Sequence, residues 1–224
     1  MSITDWPAEQ RPRERLIKHG ATMLSDAELL ALFLRVGVKG KSAVQLANET
    51  LSHFGSLHNM FTAPLTSFSL INGLGPAKFA QLQAVLELAK RALSENLQEG
   101  SVLNSPQSVK NYLQLLIGKK TFETFAVLFL DVKNRLIHSE ELFRGSLTRT
   151  SVYPREIVKR ALHHNAAAII LAHNHPSGQI QPSEMDIVLT NEIKKTMELV
   201  DVKVLDHIIL AGNKAFSFAE HGLI

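Results

Sequence analysis

Hydrophobic spacing changes character near residue 100, and that change constrains the fold more than any other feature of the chain. Over residues 44–54 and 78–93 apolar side chains recur at intervals of three and four, the spacing of amphipathic helices. Ser25-Asp26-Ala27-Glu28 carries the residues of a capping box just before Leu29 and Leu30, which predicts a helix start there. Residues 98–106 are polar and turn-rich and are expected to link two domains. Beyond them, short dense apolar runs alternate with helical stretches. Residues 125–132 and 167–172 read as buried strands, with 135–143 as an antiparallel partner of the first. Residues 154–164 and a segment from Ser183 read as helices, and 202–210 as a further strand turning at Gly212 into 215–218. The expected organisation is a helical domain at 1–98, a linker at 99–106 and an α/β domain with a mixed sheet at 107–224. Residues 1–15, with Pro7 and Pro12, are expected to form an irregular arm.

Composition narrows the chemistry. The chain has 224 residues and no cysteine, so disulfides, thiolate metal sites and cysteine nucleophiles are excluded, and a metal would need His, Asp or Glu. The net charge of +3 is spread evenly: residues 1–99 hold ten Lys/Arg against nine Asp/Glu, and residues 100–224 hold fourteen against twelve. Composition alone therefore predicts no nucleic-acid binding. No run of about 18 apolar residues and no charged-then-apolar leader is present, and a cytoplasmic location is expected.

The residues richest in chemistry follow the apolar run 166–172: Ala172-His173-Asn174-His175-Pro176-Ser177-Gly178, then Ser183 and Asp186. On a strand, His173 and His175 point the same way, because side chains alternate faces. Two imidazoles and a carboxylate suit Zn²⁺, and three protein ligands leave a fourth position for water, as catalytic zinc sites do. A plainer reading makes one histidine a strand end and the other a surface residue. Likewise Ser183-Glu184-Met185-Asp186 is also a capping box.

His173-x-His175, seven residues, Ser183, two residues, Asp186 resembles the H-x-H-x7-S-x2-D core of the JAMM (MPN+) metalloproteases. With Phe143-Arg144-Gly145, Pro154-Arg155-Glu156 and Asp206-His207, the chain resembles the RadC family over nearly its whole length. The resemblance implies an α+β or α/β fold, a JAMM domain with a mixed sheet flanked by helices behind a small all-α domain. It also implies one zinc per chain on His173, His175 and Asp186, and a hydrolase acting on a peptide or protein amide. A general base must deprotonate the attacking water, and Glu123, Glu140, Glu141 and Glu156 are the nearby acids. In JAMM proteins that glutamate opens a strand some fifty residues before the histidines, which favours Glu123, with Glu156 as runner-up. Ser183, by the same resemblance, would donate to the oxyanion, and Asp206-His207 would support the ligands or form a buried structural pair.

In the helical half, Ile71-Asn72-Gly73-Leu74-Gly75 with Pro76-Ala77-Lys78 is similar to the hairpin of helix-hairpin-helix modules, and Gly37 stands 36 residues before Gly73 in a faint repeat. The resemblance implies non-sequence-specific DNA contact through phosphates at Gly73, Gly75 and Lys78. Such a turn also serves simply to join helices. The P-loop-like Gly37-Val38-Lys39-Gly40-Lys41-Ser42 lacks its first glycine, since Arg35 stands there, and nucleotide binding is excluded. An alternative to the hydrolase is thus a DNA-binding protein of repair or recombination, with the metal domain regulatory or nucleolytic.

Overall fold

A computed structural model describes residues 6–145 and 152–224 and divides into two units, Met1–Val85 and Leu86–Ile224. The first is helical: α1 (Pro12–His19), α2 (Asp26–Leu34), α3 (Ala43–Phe54), α4 (Leu57–Thr62), α5 (Leu65–Phe68) and the first half of α6 (Pro76–Glu99). Pro12 opens α1 instead of breaking an arm, because a first-turn proline gives up an amide that no carbonyl awaits. Ser25 and Ser42 each close a capping box, with Glu28 and Gln45, and so fix where α2 and α3 begin. Leu30, Leu34, Leu46, Met60, Phe68, Leu74 and Leu82 form this unit's core.

The division falls inside α6, not at the expected 99–106 linker. The reason lies in Leu93 and Leu97, which pack into the core of the second unit and hold the end of α6 there. Residues 102–104 then form a single 3-10 turn whose Val102 is buried in that same core.

The second unit holds, among the described residues, a five-stranded sheet in the order β2-β1-β3-β4-β5. The strands are β1 (Thr124–Leu130), β2 (Leu136–Arg144), β3 (Ala168–Asn174), β4 (Lys203–Ala211) and β5 (Lys214–Ser217). Only the β3–β4 pair is parallel, joined through α9 (Glu184–Glu198); the other pairs are antiparallel. Every residue of β1 and β3 is buried, so both faces of the sheet are covered, as their continuous apolar runs require. Alternation sorts their side chains. Ala126, Leu128, Ala168 and Ile170 meet Val109, Tyr112 and Leu113 of α7 (Pro106–Leu116). Phe125, Val127, Ile169 and Leu171 meet Ile157 and Ala161 of α8 (Pro154–His163) and Ile193 and Met197 of α9. The mixed sheet, with helices on both faces and a helical unit before it, is the α+β architecture expected. The register that follows matters for function: Phe125 pairs with His173, and Leu171 pairs with His207.

Candidate metal centre

His173 is the sixth residue of β3 and lies on the face covered by α8 and α9. Beyond the strand end, the His175 amide still donates to Leu210 O at 2.7 Å, so the backbone keeps its extended course and both imidazoles share one face. Their Nε2 atoms stand 2.8 Å apart. His175 Nδ1 lies 2.7 Å from Gln179 O, and a carbonyl only accepts, so Nδ1 carries the proton and Nε2 faces inward with its lone pair. The Pro176–Gly178 turn makes this bond by folding the chain back, with Gly178 at φ +82°.

Asp186 enters from the first turn of α9, where it and Ser183 close a capping box. Its Oδ2 accepts from Ser183 N and Ser183 Oγ, both at 2.7 Å. Its Oδ1 lies 3.2 Å from His173 Nε2. Capping and ligation therefore do not compete, since each uses its own oxygen. Burial alone would push this carboxyl up; the hydroxyl and amide of Ser183, with the His173 ring beside it, outweigh it and hold Asp186 well below the usual carboxylate range. Ser183's one hydroxyl proton is engaged with Asp186 in this arrangement, so its contact is with the ligand rather than with a position for an oxyanion.

The donor set fits zinc. The ligand atoms of His173, His175 and Asp186 lie within 4.8 Å of one another. Ligands on one zinc at bonds of about 2.0–2.1 Å and tetrahedral angles stand about 3.3 Å apart; here the two Nε2 atoms are 2.8 Å apart and Asp186 Oδ1 is 3.2 Å from His173 Nε2. A second cluster, His138, Glu140 and His164, does not fit as well. Arg160 Nε donates to Glu140 Oε2 at 2.7 Å, and Arg160 Nη2 and His164 Nε2 hold its Oε1. The Arg160 hydrogen bond brings the Glu140 pKa from 4.5 down to about 2. A cation there would stand beside a guanidinium, so this cluster is an ion-pair clasp between β2 and α8.

Glu123 immediately precedes β1, two residues before Phe125, which pairs with His173. Its carbonyl accepts from Gly145 N at 2.9 Å, which ties this end of β1 to the end of β2. Glu156 is engaged locally on α8, accepting from Lys159 Nζ at 3.0 Å. Glu141 pairs with Lys120 at 3.1 Å.

Asn174, between the two histidines, carries a role that the sequence reading passed over. Its side chain is buried; Oδ1 accepts from Thr124 N at 2.8 Å, and Nδ2 donates to Lys120 O and Phe122 O, each at 3.1 Å. One amide thus fastens the segment that carries Glu123 to the histidine strand. The only sequence signal was an amide side chain at a strand position that faces away from both histidines. His207 is fully buried, with Phe218 stacked on it at 4.8 Å and Phe125 edge-on at 5.7 Å. Burial pushes its pKa well below the ordinary value. Asp206 turns the other way, accepting from the amides of His207 and Ala219 and from Ser217 Oγ, so the pair divides between two tasks.

In the helical unit, Gly73 has φ +91°, and a Cβ there would meet Val38 Cγ1 at 2.3 Å. The turn around Gly73 packs on the earlier turn, where Val38 bridges Lys41. A Cβ on Gly75 would meet nothing within 4 Å, and Lys78 follows in the first turn of α6, its amine pKa lowered by burial. No helix among the described residues is long and apolar enough to cross a membrane.

Comparison with known proteins bears on the whole chain. Residues 103–223 match the family described as RadC-like JAB domain, and residues 3–80 match the one described as UPF0758 N-terminal. A UPF0758 protein of Janthinobacterium sp. (strain Marseille) is 68% identical over 222 residues, 99% of each chain. One from Herminiimonas arsenicoxydans is 66% identical over the same share, and one from Nitrosomonas eutropha is 60% identical over the full length of both.

Proposed function

The chain belongs to the RadC family, with its RadC-like JAB domain at residues 103–223, and from that premise we propose that it is a zinc-dependent hydrolase of peptide or isopeptide bonds. The observation that carries the reading is the convergence of two imidazole nitrogens and one carboxylate oxygen. His173, His175 and Asp186 would hold the metal. A zinc ion bound there supplies Lewis-acid polarisation of a carbonyl and an acidified water. Glu123 takes the proton of the attacking water and returns it to the leaving amine, the task of a general base. Asn174 keeps Glu123 in place through the 120–124 backbone. Ser183 acts through Asp186, leaving Oδ1 toward His173 by holding Oδ2. The substrate is a peptide or protein.

Elemental analysis of the purified chain tests this directly. One zinc per chain is expected in the wild type and in Glu123→Gln, and none in His175→Ala or Asp186→Ala. Peptide-library cleavage lost in Glu123→Gln would then assign the base. A wild type that takes up no zinc when it is offered sinks the reading.

A separate reading concerns the helical unit. The open space beside Gly75 leaves its backbone approachable, which suits non-sequence-specific contact with DNA phosphates near Lys78. Salt-dependent DNA binding that Gly75→Asp abolishes would support it, and binding absent at low salt would end it.

A further inference from the structure

Thr190 and His207 are buried beside the metal centre and play no part in the chemistry above. Thr190 sits one helical turn after Asp186, and its Oγ1 lies 2.6 Å from Asp186 O and 2.6 Å from His207 Nδ1. The carbonyl can only accept, so the single hydroxyl proton points to it. The hydroxyl oxygen must then accept from His207, which places the His207 ring proton on Nδ1. His207 Nε2 is left as a bare acceptor, 2.8 Å from His173 Nδ1. His173 must therefore carry its proton on Nδ1.

We propose that Thr190 and His207 are positioning residues that set the tautomer and ring orientation of His173, so that its Nε2 lone pair faces the metal position. The chain of bonds begins at the backbone of one ligand, Asp186, and ends on the ring of another, His173. It therefore couples the start of α9 to the end of β3. Gln179 does the same for His175 from the solvent side. With both ring protons held outward, two nitrogen lone pairs and a carboxylate oxygen converge with no proton assigned between them, an arrangement that a cation completes. Phe125, stacked on His173 at 6.2 Å, keeps the ring from turning out of that plane.

The proposal rests on His173 as a metal ligand, but on neither Glu123 nor the scissile bond. It is tested on the full chain by zinc affinity, measured in competition with a chromophoric chelator, and by ¹⁵N imidazole shifts of the metal-free protein. Removing an outer partner of a ligating histidine typically weakens binding about 10–100-fold, and His207→Phe should do so while the His173 shifts move from the Nδ1–H tautomer to a mixture. His207→Gln offers a carbonyl in place of Nε2 and should recover most of the affinity and the tautomer. Thr190→Val, close in shape, should also weaken zinc, which covers the case in which His207→Phe does not fold. Zinc affinity within threefold of wild type in Thr190→Val and in His207→Phe, or a wild-type His173 protonated on Nε2, overturns the proposal. Equal zinc affinity in His175→Ala and wild type would instead overturn the metal centre itself, and this proposal with it.

Discussion

Asn174→Ala is the most informative single perturbation of the second unit. It leaves the fully buried Thr124 amide, donor of a 2.8 Å bond, without an acceptor. An orphaned buried donor costs about 1–3 kcal/mol, and each of the two lost bonds to Lys120 O and Phe122 O adds about 0.5–1.5 kcal/mol, since those carbonyls can turn to water. The sum is about 2–6 kcal/mol. Asn174→Asp is expected to fare no better. It keeps the acceptor for Thr124 but sets carboxylate oxygens against two carbonyls at positions where donors stood 3.1 Å away. The assay is native-state hydrogen exchange of the β1 amides, which reads this region without requiring the two units to unfold together. Exchange at Thr124 should accelerate most. Zinc content should stay at wild-type level, because no ligand is altered, while turnover falls as Glu123 loses its fixed place. A loss under about 1 kcal/mol with Thr124 still protected would refute the clamp.

Gly73→Ala brings a Cβ to 2.3 Å from Val38 Cγ1 at φ +91° and should destabilise the helical unit by about 2–4 kcal/mol. Gly75→Ala, with open space, should stay within about 0.5 kcal/mol; fluorescence of the chain's one tryptophan, Trp6, would follow both, and equal effects would contradict the packing argument. The Glu140–Arg160 clasp has a definite pH window. Glu140's pKa in the fold is about 2 against an ordinary 4.5, so its contribution is complete above 4.5 and is lost as pH falls toward 2. Urea midpoints should fall more steeply between about pH 5 and 3 in the wild type than in Glu140→Gln, and parallel curves would show the clasp to be unimportant.

What the sequence made legible was whatever depends on local pattern. The period-two pair His173 and His175, the capping boxes at Ser25 and Ser183, and the covered faces of β1 and β3 are each set within a few residues. Illegible was whatever depends on register between distant segments. The bonds of Asn174 reach back as far as 54 residues and that between His173 and His207 spans 34, and a one-residue slip of either pairing would undo them. The end of α6 was illegible for a related reason. Residues 98 and 99 are Gln and Glu, which a helix accepts, and α6 continues because Leu97 finds a core to enter. Ser183 was legible as a cap and as a motif residue, yet which of its bonds matters for the site emerged only when the two oxygens of Asp186 were seen to face different partners.

That division of labour in Asp186 yields a sharper test of the centre than alanine does. The N-terminus of α9 carries a partial positive charge, about half a unit, which repels a cation. The anionic carboxylate is what makes the position habitable for one. In Asp186→Asn the two donors of Ser183, its amide and its hydroxyl, both face the Oδ2 position and require an acceptor there. The amide must therefore turn its oxygen to Ser183 and present its NH2 to His173 Nε2. The cap survives, the ligand becomes a donor, and the charge that offset the helix is gone. Helix stability should stay within about 0.5 kcal/mol of wild type, whereas Asp186→Ala loses part of the cap at about 0.5–1 kcal/mol. Zinc binding should be lost equally in both. An asparagine variant that still holds zinc near wild-type affinity would mean that Asp186 serves the helix and not the metal, and the three-ligand centre would then have to be redrawn around the two histidines.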